Sequence, residues 1–326
     1  MARDLRQLEE GLRAYLADGK AVTGVKALST GHSNETYLVE GLNRILRMPP
    51  SEEGLLPPYD MAREYGAITA VGQWTAPPPV PKTYELCLDA SVIGDPFFLM
   101  ERRYGEAYEY AEPEWFAKAS AEARSGMCAQ WVGAVAAVHR MPAERMPGPR
   151  SSVVDQIAHW RDVAMDAEAP LPLIDLIEDL VRNPPRSSGP ETPGHGDPKV
   201  GNCLWNDCKM VALLDWEMAH VGEPLTDLGY MACFYDQGER ALASAGFYAP
   251  GWWSRERLIG EWEAATHRTA HDMRRYEALN LCKISAIIAL GYHLHRVGRA
   301  RDPRFEAWGK VLPGFIDLTL ERAQLA

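Results

Sequence analysis

The sequence predicts an α+β protein of two lobes, a small β-rich N-terminal lobe and a larger, mainly helical C-terminal lobe. Three observations predict it. Short strand-like runs bounded by turn residues dominate the first hundred positions, and long helical periodicity takes over from about Trp115. The length of 326 residues also exceeds what one compact core usually holds. The expected division is 1–101 and 102–326.

Leu5, Leu8, Leu12, Tyr15 and Leu16 recur at helical spacing, so the chain opens with an amphipathic helix. A polar, turn-like stretch, Thr30 to Asn34, precedes two short strands, Tyr37–Glu40 and Arg44–Arg47, joined by a turn at Gly41. Pro49-Pro50 ends the second strand, because proline cannot donate to a ladder. A helix is expected over Asp60–Val71, then a rigid proline-rich connector from Ala76 to Pro81. Two further strands, Tyr84–Leu88 and Phe97–Glu101, flank the Ile93-Gly94-Asp95-Pro96 turn. Helices are expected at 115–139, 152–166, 171–182, 225–245, 255–267 and 272–297, interrupted once by a polar, turn-rich segment at 184–218. Internal repeats and low-complexity tracts are absent from the sequence.

Composition narrows the function classes. Apolar residues at 46% and charged residues at 24% are ordinary for a globular chain. The formal charge is −11, from 34 basic and 45 acidic residues, which disfavours a general nucleic-acid binder. The uncharged run from Ser125 to Val138 contains Gly126, Gln130 and Gly133 and falls short of the roughly 20 apolar residues of a membrane span. It reads as a buried helix. The charged opening Met1 to Arg6 does not read as a signal peptide. Six scattered cysteines without a CxxC pair read as free thiols in a reducing cytoplasm, and Cys203 with Cys208 lacks the second pair that a metal knuckle needs.

The chemistry sits in the polar interruption. His195-Gly196-Asp197-Pro198-Lys199-Val200-Gly201-Asn202 is followed by Val211-Ala212-Leu213-Leu214-Asp215-Trp216-Glu217. This is H-x-D-x-x-x-x-N followed by an aspartate at the end of an apolar strand, the arrangement of a protein-kinase catalytic loop and its metal-binding Asp. Asp197 can orient a substrate hydroxyl and take its proton. Leu204-Trp205 and Val211–Leu214 read as a hairpin turning at Asn206–Lys209, which returns Asp215 to Asn202. An amide oxygen and a carboxylate there are hard ligands suited to Mg²⁺ on nucleotide phosphates. Lys199 can neutralise a transferring phosphoryl group.

With glycine inside His195-Gly196-Asp197, then Gly201-Asn202 and Leu214-Asp215-Trp216-Glu217, the chain resembles the aminoglycoside phosphotransferase and choline kinase-like family. Gly222-Glu223-Pro224-Leu225-Thr226-Asp227-Leu228 is similar to the branch found as a domain beside acyl-CoA dehydrogenases. The resemblance implies a protein-kinase-like two-lobe fold and a small-molecule kinase using ATP and Mg²⁺. It places a glycine-poor phosphate loop on Ser29 to Thr36, with Gly31, Ser33, Asn34 and Thr36 at the nucleotide. Arg47 falls at the position of the phosphate-binding cation, where arginine keeps the charge and changes the geometry. Glu64 matches its helical carboxylate partner, and Met100, Glu101 and Arg102 match the hinge beside adenine.

Blander readings stand beside these. His195 is expected to hold the loop, and Asp227 to brace it. Glu217 is divided between a second metal contact and loop stabilisation. Without the downstream motif, Arg47 and Glu64 would be an ordinary surface ion pair. His139 reads as a core histidine, and His293 and His295 lie two apart on a buried helix, facing different ways. A metal-dependent hydrolase using His195 and Asp197 as ligands would leave Asn202 and Asp215 without roles, and a regulatory pseudokinase would be expected to lack one of Asp197, Asn202 or Asp215. A small-molecule hydroxyl is the expected acceptor, with a hydroxyacyl-CoA-like thioester or another hydroxylated metabolite favoured over an aminoglycoside or choline-type cation. Oligomeric state is not legible.

Overall fold

The computed structural model describes residues 3–29, 34–51, 54–108, 112–235, 249–300 and 302–324. The first helix, α1 (Leu5–Tyr15), starts where the Asp4 carboxylate accepts the amides of Arg6 and Gln7, and it buries Leu8 and Leu12. Strands β1 (Gly24–Ser29), β2 (Glu35–Glu40) and β3 (Arg44–Met48) follow, then α2 (Met61–Gly72), β4 (Thr83–Cys87) and β5 (Phe97–Glu101). They form an antiparallel sheet in the order β1-β2-β3-β5-β4.

The period of two along a strand sends its side chains to opposite faces, and here both faces are covered. Tyr37, Val39, Leu46, Met48, Phe97 and Leu99 pack with Leu8, Leu12 and Leu16 of the α1 region. Leu38, Ile45, Phe98 and Met100 join the cluster that holds Met61, Ile68 and Val71 of α2. The second face therefore belongs to the same apolar body as the helical lobe, and α2 lies where the two lobes meet.

Beyond the sheet come β6 (Glu106–Ala107), α3 (Glu114–Ala117), α4 (Ala121–His139), β7 (Arg150–Ser151), α5 (Val153–Asp166) and α6 (Leu171–Arg182). Then follow β8 (Thr192–Gly194), β9 (Cys203–Asn206), β10 (Lys209–Leu213), β11 (His220–Gly222), α7 (Pro224–Ala232), α8 (Arg255–Thr266), α9 (Met273–Arg296) and α10 (Pro303–Gln324). The expected hairpin is β9–β10, with β6 added at its edge. A second small sheet, β7-β11-β8, ties the loop before Asp197 to the segment after Glu217. The central α9 packs against α5, α6, α7 and α10.

Two expected helices differ, and two elements are new. The helix expected over 115–139 is two helices, because the Ser120 hydroxyl caps a fresh start by accepting the Ala123 amide. Strand β1 and helix α10 were not anticipated. Of the helix expected at 225–245, α7 accounts for 225–232, residues 233–235 are turn, and positions 236–245 lie outside the described residues. Among the described residues no helix is long and apolar enough to cross a membrane. The six cysteines are unpaired.

Candidate active site

The loop between β8 and β9 is built around Asp227, in the first turn of α7. Its carboxylate accepts the His195 amide at 2.7 Å and the Gly196 amide at 2.9 Å, so one side chain fixes two successive peptides. The expected bracing role of Asp227 is what the geometry shows. Behind it, His139 Nε2 stands 3.1 Å from Asp227 Oδ2, and His139 Nδ1 accepts the Trp262 indole N–H at 2.9 Å. Burial opposes a charge on Asp227, but its bond to His139 and the neighbouring His220 and His195 together outweigh this and hold the carboxyl well below its ordinary range.

His195 is fully buried. Its Nε2 meets the Leu214 carbonyl at 2.9 Å and its Nδ1 accepts the Asp197 amide at 3.2 Å. Both ring nitrogens are engaged with backbone, which removes the hydrolase reading that made His195 a metal ligand. Burial lowers its pKa, so the ring is neutral at pH 7. Gly196 has φ +88, and a Cβ there would stand 2.3 Å from the Met218 carbonyl oxygen. No side chain fits.

Asp197 is thereby turned into the cleft. Asn202 Nδ2 donates to its carbonyl at 2.8 Å and to its Oδ2 at 3.0 Å, and Lys199 Nζ lies 3.8 Å from the same Oδ2. Burial raises the Asp197 pKa, but Lys199, Lys283 and the Tyr230 hydroxyl together outweigh it, leaving the carboxyl below its ordinary range. Its Oδ1 is buried and makes no short hydrogen bond among the described residues, although the Tyr230 hydroxyl lies near enough to favour the charged carboxylate.

The hairpin returns the chain as expected. Leu214 N donates to Asn202 O at 2.8 Å, and Asp215 follows in a left-handed conformation at φ 66. A non-glycine residue held there marks a backbone set by its surroundings. Across from it stands Arg47 on β3. Its guanidinium reaches Thr36 Oγ1 at 2.8 Å, Glu64 Oε1 at 3.0 Å and Asp215 Oδ1 at 3.4 Å. Glu64 is 1% exposed and also accepts Asn34 Nδ2 at 2.8 Å, while that same Nδ2 meets Glu217 Oε2 at 3.3 Å. This is a buried interlobe network and not a surface pair. Next to Glu64, Arg63 donates to the Glu217 carbonyl, linking α2 directly to the segment after Asp215.

Asn34, Thr36, Arg47, Glu64, Asp215 and Glu217 thus converge, with Asp197, Lys199 and Asn202 adjoining. Met100, Glu101 and Arg102 lie at the end of β5. There Glu101 N donates to Lys82 O at 2.7 Å, and the Arg102 guanidinium bonds Asn43 and stacks on Tyr104. Gly31 and Ser33 lie outside the described residues. Among the described residues no cluster of three or more His, Cys, Asp or Glu side chains could hold a metal, His293 and His295 included. A cation here would instead use the amide oxygen of Asn202 and the carboxylate of Asp215 together with ligand oxygens.

Sequence reading missed Lys283, whose ammonium donates to the Gly196 carbonyl from α9. A signal existed: Glu277, Asn280 and Lys283 recur every three residues among the apolar residues of the stretch from Tyr276 to Ile284, so one stripe of the helix carries polar groups into the core.

The family model of the phosphotransferase enzyme family matches residues 24–278. The rat acyl-CoA dehydrogenase family member 11 is 29% identical over 251 residues, 71% of this chain and 31% of that protein. The chain therefore spans about a third of the length of such relatives. A structure from Ralstonia eutropha, provisionally named an aminoglycoside phosphotransferase, superposes with a TM-score of 0.78 at 23% identity, covering 97% of this chain and 98% of that one. The GDP complex of aminoglycoside 2'-phosphotransferase-IIIa gives a TM-score of 0.67 at 15% identity, with 97% and 99% covered. At these identities the two structures establish the shared kinase-like fold.

Proposed function

The chain belongs to the phosphotransferase enzyme family, and on that footing we propose that it is an ATP- and Mg²⁺-dependent kinase that transfers the γ-phosphate to a hydroxyl of a small molecule. The observation that carries this reading is the meeting of Arg47 and Glu64 with Asp215 from the opposite lobe, 3.4 Å from Arg47 and next to Leu214, whose amide is bonded to Asn202.

Arg47, held by Glu64, is the cation for the nucleotide phosphates, and Thr36 lies within its reach. Asn202 and Asp215 supply hard oxygen donors, a set that fits Mg²⁺; when bound, the ion would compensate charge on the transferring group. Asp197 orients the acceptor hydroxyl through Oδ1 and receives its proton, while Lys199 faces the same carboxylate and can follow the phosphoryl group. Met100 to Arg102 form the adenine side, and Gly31 and Ser33 belong to the phosphate loop.

For the acceptor, a hydroxyacyl-CoA-like thioester or another hydroxylated metabolite is favoured, supported by relatives that carry acyl-CoA dehydrogenase names. The charge of −11 favours a cation, but bulk charge does not locate itself in a cleft. Six unpaired thiols suit a reducing cytoplasm. The test is ATP consumption by the purified chain across hydroxyacyl-CoAs, hydroxylated metabolites, aminoglycosides and choline, with and without Mg²⁺. Saturable, Mg²⁺-dependent turnover with a hydroxylated acceptor is expected. Nucleotide binding without turnover on any acceptor would favour a regulatory pseudokinase.

A further inference from the structure

Lys283 is 5% exposed, yet among the described residues its ammonium is not held by a carboxylate hydrogen bond. It donates to the Gly196 carbonyl and stands 4.7 Å from the ring centre of Tyr230 and 5.4 Å from that of Trp160. These distances are those of cation–π contacts, which hold a cation within about 6 Å of a ring centre. An aromatic pair beside a carboxylate is also the kind of site that captures an ammonium ligand. Here the cation is supplied by the protein.

We infer that Lys283 is a built-in cation that positions the Asp197 loop and occupies the aromatic site beside it, so that the acceptor side rejects molecules bearing an ammonium group next to the reacting hydroxyl. This rests on the kinase reading above. An incoming ammonium would meet Lys283 and Lys199 together, and Asp197 is the acidic group facing them. Asp227, the other carboxylate near Lys283, lies behind the loop, taken up by the amides of His195 and Gly196 and the ring of His139. Two like charges about 6 Å apart at an effective dielectric of about 20 repel by the equivalent of roughly a hundredfold in affinity. Attraction to Asp197 offsets part of that, so a discrimination of about tenfold or more is expected.

The test uses choline and its uncharged isostere 3,3-dimethylbutan-1-ol as matched probes, titrated by NMR in the presence of ADP and Mg²⁺. The wild type and Lys283→Arg should prefer the uncharged alcohol by about tenfold or more. Lys283→Ala, which empties the aromatic site, and Lys283→Met, which keeps its volume filled, should both move the ratio towards choline by a similar factor. A loss of packing alone would weaken both probes together and leave the ratio fixed. Wild type preferring choline, or one ratio across all four proteins, would overturn the inference. ADP affinity measured alongside separates the two levels: ADP binding with an unmoved ratio defeats this inference alone, whereas no ADP binding defeats the kinase reading and this inference with it.

Discussion

His139 Nε2 lies 3.1 Å from Asp227 Oδ2, the same oxygen that receives the His195 amide. One buried carboxylate thus joins the end of α4 to the reaction loop. Asp227→Ala would leave two peptide N–H groups and an imidazole without their acceptor. Breaking a buried pair of this kind costs about 3–5 kcal/mol. Chemical denaturation should show a loss of that size, and Asp227→Asn should recover only part of it.

Acid should destabilise the fold in two stages. His195 and His220 are buried and their pKa values lie below the ordinary histidine value. The unfolded chain therefore binds protons first, and stability falls as pH drops below about 6.5. Asp227 is depressed instead, so its contribution persists above its unfolded value and is lost only as pH falls below about 4. Melting temperature measured against pH should decline in both windows. A flat profile between pH 7 and 5 would contradict the neutral, buried state of the two histidines.

Asp197→Asn should lower single-turnover phosphoryl transfer by about 10²–10⁴-fold, the usual worth of a positioned general base. ATP affinity by calorimetry should stay near wild type, since asparagine keeps the shape of the side chain and Arg47 has its own partners in Glu64 and Asp215. Normal turnover in this variant would remove the mechanism assigned to the loop.

Asp215→Ala should abolish Mg²⁺-dependent turnover, and Asn202→Ala should weaken it less, because a neutral donor carries less of the charge compensation. Activity titrated against Mg²⁺ is the measurement. Full activity of both variants at limiting Mg²⁺ would exclude the donor assignment.

Arg47→Ala should raise the Michaelis constant for ATP and slow transfer. Arg47→Lys should recover the charge but not the forked contact to Thr36, Glu64 and Asp215. An unchanged ATP dependence would reduce Arg47 to a structural link.

Legibility in the sequence followed locality. His195, Asp197, Asn202 and Asp215 lie within one loop and hairpin, so their spacing already dictates their meeting. The strands on either side of Gly41 were readable because alternation and turn residues agree. Helix α10 was hidden by Pro313 with Gly309 and Gly314, residues that argue against a helix locally. Burial of Phe315, Ile316 and Leu318 overrides that preference. Strand β1 has little apolar alternation and owes its place to pairing with β2. Lys283 reaches the loop from 87 residues away; the polar stripe on α9 marks it as inward-facing but does not name its partner.

Arg63 and Glu64 are consecutive on α2, yet they serve different partners: one grips the backbone just past Asp215, the other holds the cation on β3. A single rigid helix therefore reads the distance between the lobes and sets the readiness of Arg47. If the lobes separate, Arg63 pulls α2 with the lower one or lets go of it, and in either event the hold on Arg47 is disturbed. The open molecule would be disarmed by its own opening, with no second element needed to report it.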